Sequence, residues 1–196
     1  MTGLLLALSL FSLGLEAGAG AALEKGLGND IEDYDPRLSF CAELGVRDIL
    51  PGIGVDLGFR RFGVERTIAE DTLEKLQRWE GYFFDASAVF ESWPYLAGPI
   101  GIKLRTGGFF TPWRMLEDGK VVAIPPKDTL SDTVFMRAQN VGVLLGGSVM
   151  FRPWKFLLLD LGINHRHIFS MDVDKFGKDD VDERFMEVYL AARFRF

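Results

Sequence analysis

The residues best placed to do chemistry are His165, His167, Ser170 and Glu183. A hydroxyl beside an imidazole that a carboxylate orients is the arrangement of nucleophilic hydrolysis. The spacing argues against it. His167 and Ser170 are three positions apart and face opposite ways on a strand unless a bulge intervenes. An exposed histidine pair at the end of a strand, and no enzyme, is the expectation. The stretch DVDKFGKDDVDE holds a second pattern: Asp172, Asp174, Gly177, Asp180 and Glu183 have the spacing of a calcium-binding loop. Phe176 stands where an oxygen donor belongs, and no helical pattern flanks the loop. An acidic surface loop is expected, with a weak divalent-cation site at Asp172, Asp174, Asp180 and Glu183 the lesser reading. No metal or cofactor is expected. The single Cys41 permits neither an internal disulfide nor a cysteine-based zinc site.

The remaining charges are patterned. Glu16, Glu24, Glu43, Asp56, Asp85, Glu91, Asp160 and Glu187, with Arg47, Arg60, Lys103, Arg105, Arg193 and Arg195, sit at every second position of segments whose other positions are apolar. Period-2 alternation is the strand signal. Eight such segments follow one another: Leu15–Glu24, Leu38–Arg47, Ile53–Arg60, Tyr82–Glu91, Ile100–Arg105, Gln139–Arg152, Lys155–Asn164 and Met186–Phe196. About ten residues is what a tilted strand needs to cross a bilayer. Long polar connections (GLGNDIEDYDPR, Phe62–Arg78, Phe109–Ser131 and His165–Arg184) alternate with short ones at DILPG, WPYLAGP and RPW. That asymmetry suits an up-and-down barrel with its long loops at one end.

Trp79, Tyr82, Trp93, Tyr95, Trp113 and Trp154 fall at the ends of these segments, as an aromatic girdle at the headgroup level requires. The apolar residues 1–14 read as a secretory leader, which leaves 15–196 as one barrel domain. A net charge of −6 excludes a nucleic-acid surface built on bulk positive charge. A mean hydropathy of +0.12 is high for a chain that is 26% charged. Placing the apolar faces outward against lipid accounts for it. Glu16, Glu43, Asp56, Arg60, Asp85, Lys103, Arg105, Asp160, Glu187 and Arg193 would then fill a narrow lumen as paired charges. A soluble lipocalin-like binder, with the faces reversed, is the alternative.

The last strand, FMEVYLAARFRF, has Val188, Leu190, Phe194 and Phe196 on one face. With it the chain resembles the small bacterial outer-membrane β-barrels of the OmpA, OmpX and OmpW type over nearly its whole length, as a match of architecture. The resemblance implies an all-β, eight-stranded antiparallel transmembrane barrel in the bacterial outer membrane. It also implies that the final strand is the signal read by the barrel-assembly machinery. Outer-membrane lipids, including a lipopolysaccharide-like glycolipid, and a host or surface ligand of the long loops would be its partners. A lipid A deacylase of that family has its His and Ser two residues apart, a spacing His167 and Ser170 lack. The expected role is non-enzymatic: structural, adhesive or ligand-recognising. The alternative is an OmpW-like channel for small hydrophobic molecules, lined by Phe83, Leu144, Phe156 and Leu158.

Overall fold

The computed structural model describes residues 14–27, 31–70, 73–92, 98–124, 133–171 and 182–196. Its strands, in chain order, begin with β1 (Gly14–Gly26), β2 (Asp35–Leu50), β3 (Ile53–Glu70), β4 (Leu73–Glu91) and β5 (Ile100–Glu117). Three two-residue strands follow, β6 (Lys120–Val121), β7 (Ala123–Ile124) and β8 (Val134–Phe135). The chain finishes with β9 (Arg137–Trp154), β10 (Leu157–Phe169) and β11 (Glu183–Arg195). The eight long strands form a wall. Each pairs antiparallel with its neighbours, β4 joins β5, and β1 joins β11, so the sheet closes into an up-and-down barrel. The closing seam runs from Glu16↔Arg195 to Gly26↔Phe185. Closure satisfies the backbone groups that an open edge would leave bare, which hydrocarbon does not tolerate.

The alternating positions divide as their chemistry demands. Leu145 is 65% exposed and Leu190 59%, whereas Arg60 and Glu187 are fully buried. Leu44, Leu57, Ile102, Val149 and Leu161 continue the same bare apolar belt around the cylinder. So extensive an apolar exterior has the character of a surface that faces acyl chains. Val188, Leu190, Phe194 and Phe196 of the final segment all lie on this outer side. The interior is narrow, and glycines make room in it. A Cβ on Gly162 would come within 2.5 Å of the Tyr189 ring and 2.6 Å of Ser148.

Three expectations change. The connection expected over Phe62–Arg78 is strand: β3 and β4 pair continuously from Ile53↔Phe90 to Glu70↔Leu73 and leave only residues 71 and 72 between them. Above the belt the outer face of this hairpin carries Glu65 and Arg78 and the inner face carries Arg66 and Gln77 against Tyr34, so polar residues on both faces abolish the alternation while the ladder persists. Likewise β5 continues to Glu117, turns at Asp118–Gly119 (φ 47° and 82°, a tight hairpin turn that needs positive φ) and returns as β6. β7 and β8 then pair with each other before β9. Finally, β10 runs five residues past Asn164, through both histidines. Of the leader expected over 1–14, only Gly14 lies within the described residues, and it belongs to β1.

The belt predicts a depth-dependent mutational cost. Leu57→Arg, at the middle of the outer face of β3, should cost the barrel about 2–4 kcal/mol of stability in lipid vesicles, as measured by urea unfolding.

Candidate functional site

The lumen holds one connected ionic network. At its lower level, near the short turns, Arg47 pairs with Asp56 at 2.5 Å and with Glu16 and Glu91 at 2.9 Å. Arg193 contacts Glu16 at 2.5 Å and Asp160 at 3.1 Å, and Arg195 joins Glu91 at 2.5 Å. One level up, Lys103 meets Asp160 at 2.6 Å and Glu43 at 3.7 Å. Glu43 also binds Arg60 and Arg105 through short hydrogen bonds. At the upper level Arg166 bridges Glu187 at 2.7 Å and Asp85 at 3.0 Å, while Arg60 reaches both at 3.4 and 3.3 Å. Asn164 links the levels by accepting from Arg105 Nε at 2.7 Å and donating to Glu187.

Seven of the eight wall strands supply the ion pairs named above; β9 adds Ser148 and Met150, with Met150 Sδ accepting from Arg193 at 3.2 Å, and its Arg152 lies in the field of Glu91 and Glu16. The ten residues singled out for a lumen set are therefore all buried in the interior. Sequence reasoning left Arg47 and Glu91 outside that set and missed Arg166 and Asn164. The last two continue the inward parity of Asp160 and Gly162, which was the available signal.

Above the ions lies an aromatic plug. Phe62 stacks on Phe83 at 4.5 Å, Phe83 meets Phe109 edge-on at 5.1 Å, and Phe185 closes on Phe62 at 5.3 Å. The Arg166 guanidinium sits 4.6 Å over the Phe83 ring and joins the two halves of the filling. Ile31 and Tyr34, from the β1–β2 connection, are fully buried in the same cluster. Lys25 Nζ holds that connection by donating to the carbonyls of Glu32 (2.6 Å) and Tyr34 (2.9 Å), and Tyr34 donates its hydroxyl proton to Gln77.

The plug corrects the aromatic girdle. Trp79 (6% exposed) and Trp113 (9%) turn inward, 5.0 Å apart, and Trp113 donates to Asn140 at 2.8 Å. Parity explains it: Trp79 shares the face of Phe83 and Asp85, and Trp113 that of Arg105 and Phe109. Tyr82 and Trp154 do lie on the outside, against Phe59 and Phe156 respectively. Trp93 and Tyr95 lie outside the described residues. The apolar channel lining is also corrected. Phe156 is exterior, Leu158 clusters with Met150 apart from the plug, and Phe83 and Leu144 share the plug, so among the described residues the four form no continuous path.

The loop-end residues do not assemble a hydrolytic set. His167 Nε2 lies 3.0 Å from Asp182 Oδ2, Asp182 Oδ1 accepts the Ser170 backbone N–H at 2.8 Å, and Glu183 is turned inward. That backbone hydrogen bond, followed by His167, holds the Asp182 carboxyl below its ordinary value. Asp172, Asp174 and Asp180 lie outside the described residues, and the inward turn of Glu183 takes it off the face a surface cation would use.

Solved structures share the architecture. Similar are a major outer-membrane protein of Thermus thermophilus (14% identity, TM-score 0.61, 94% of this chain and 100% of that one) and Neisserial surface protein A (15%, 0.56, 93% and 97%). Ail, the attachment invasion locus protein of Yersinia pestis, was solved with the heparin analogue sucrose octasulfate; it matches at 12% identity and a TM-score of 0.53, over 94% of this chain and 99% of that one. The fold is that of the eight-stranded outer-membrane barrels. No family model matches, and no curated protein does.

Two outcomes follow. Glu43→Gln leaves Arg60, Lys103 and Arg105 short of their shared counter-charge and should cost about 3–5 kcal/mol by urea unfolding, the range for breaking a buried pair. The Asp182 contact should be present above the unfolded carboxyl pKa and lost as the pH falls through the lower folded value. The Ser170 amide proton resonance should therefore follow the Asp182 carboxyl with a midpoint below the ordinary carboxylate range.

Proposed function

We propose that the protein is a non-enzymatic barrel of a bacterial outer membrane, closed to solutes, whose work is done by the surface at its long-loop end. The observation that carries this reading is the filling of the lumen along its length, with ions below and rings above. A conduit would need a continuous path, and the interior side chains occupy it. A leader at 1–14 and recognition of the last strand by an assembly machinery fit the same reading. Binding on such scaffolds resides in the loops that a rigid wall presents.

The loop chemistry indicates the partner's sign. Asp30, Glu32, Asp33 and Asp35 precede Arg37 in the first connection, and Asp172, Asp174, Asp179, Asp180 and Asp182 outnumber Lys175 and Lys178 in the last. A polysulfated sugar, the ligand class seen with Ail, would be repelled by these acids. A basic surface or peptide would be attracted.

Two measurements test the proposal. In planar bilayers at high salt the purified barrel should give no conductance steps, and stable steps would overturn the closed-lumen reading. In lipid nanodiscs it should retain fluorescent polylysine in a salt-sensitive manner and ignore heparin. The reverse preference would overturn the assignment of sign.

A further inference from the structure

The outer wall carries a feature that neither the lumen nor the loops explain. Just above the apolar belt, a groove of 720 Å³ opens across β3, β4, β5 and β9, lined by Arg61, Glu80, Tyr82, Arg114, Arg137 and Gln139. Three guanidinium groups share it with one carboxylate: Glu80 meets Arg114 at 2.6 Å and Arg61 at 3.5 Å. Arg114 and Arg137 stand directly opposite each other on paired strands. Like charges in that register repel, and three guanidinium groups set against the one carboxylate of Glu80 leave the groove net positive.

A second groove, of 450 Å³, lies on the same wall within the belt, between Leu57, Phe84, Ala86, Gly108 and Phe110. The two are joined by the outward face of β4, on which Tyr82, Phe84 and Ala86 follow at every second position and pair with Arg61, Phe59 and Leu57 of β3. From Tyr82 to Ala86 is about 13 Å along the strand. Small residues make the lower groove: Ala86 is paired with Gly108, and a Cβ on Gly108 would touch only the Gly142 carbonyl oxygen, at 3.5 Å. Gly108 therefore leaves open space on the lipid side, where close packing does not require a glycine.

We propose that this wall is a binding site for one membrane lipid with a phosphorylated headgroup. The phosphate lies among Arg61, Arg114 and Arg137, and an acyl chain lies in the furrow over Ala86 and Gly108. The headgroup groove stands at the level where the apolar belt ends, which is where a bilayer presents its phosphates. Guanidinium groups suit phosphate oxygens in geometry as well as charge. A soluble protein or polysaccharide would meet the arginines but would have no use for the furrow beneath them. The proposal rests on the membrane placement given above.

The test uses the full barrel, refolded in micelles of an uncharged detergent and titrated with dioleoyl phosphatidic acid. Dioleoyl phosphatidylcholine is the control and inorganic phosphate the competitor. Phosphatidic acid should bind at least about 10-fold more tightly than phosphatidylcholine. The triple variant Arg61→Gln, Arg114→Gln, Arg137→Gln should abolish that preference. Gly108→Phe, which fills the furrow, should weaken phosphatidic acid about 3-fold or more, and Ala86→Phe provides the same test from the paired strand. Equal binding of the two lipids, an unchanged triple variant, or full affinity in both furrow variants would overturn the proposal. So would displacement of the lipid by an equal concentration of inorganic phosphate, which would mark a phosphate site with no acyl component. Heat-modifiable gel mobility verifies that each variant is folded. Its absence in the unaltered protein would refute the membrane-barrel reading instead.

Discussion

A charge placed against hydrocarbon has nowhere to go but inward, and the structure follows from that constraint. Within the belt every second residue of the wall strands faces acyl chains, so the ionic residues there must share the lumen. Once there, they have lost bulk water and must satisfy one another. Most form several contacts: Arg47 touches three carboxylates and Glu43 three cations. Partners come from strands far apart in sequence, as with Arg193 and Glu16. The observed order and register of the strands bring them together. The network thus specifies the closed barrel more than it stabilises it, since paired buried charges recover in attraction little more than they lose in hydration.

The aromatic plug extends this logic to the upper end. Rings fill the section where the ions stop, and Arg166 couples the two by facing carboxylates on one side and the Phe83 ring on the other. The β1–β2 connection becomes part of the filling because Ile31 and Tyr34 enter the cluster. A connection that would otherwise be a free arm is in this way fixed to the barrel. The β3–β4 hairpin, with eighteen paired positions, stands beyond the belt as continued wall.

The sequence made some of this legible and hid the rest for physical reasons. Alternation marks a strand only where one face meets lipid and the other the lumen. It therefore located the central part of all eight wall strands and failed above the belt, where Glu65 and Arg78 on the outer face and Arg66 and Gln77 on the inner one are all polar and the ladder goes on without a hydrophobic signature. Arg166 and Asn164 are fully buried, but they stand beside two histidines whose polarity suggests a loop. Trp79 and Trp113 have the residue type of a girdle but the parity of the lumen; counting by twos from Asp85 and Arg105 turns both rings inward. The external arginines were invisible to pattern because Arg61, Glu80, Arg114 and Arg137 are distant in sequence and meet only through strand register.

The glycines of the inner face show what so tight an interior imposes. Gly162 lies against Tyr189 and Ser148, and Gly146 against the Asn164 amide that relays between Arg105 and Glu187. Each marks a space already taken by a neighbour's bulk. Leucine and valine can trade places on the outside with little consequence, whereas one added methyl on the inside displaces a ring or an amide. The chain's substitution clock should consequently run at two rates, fast and slow, alternating residue by residue along every strand.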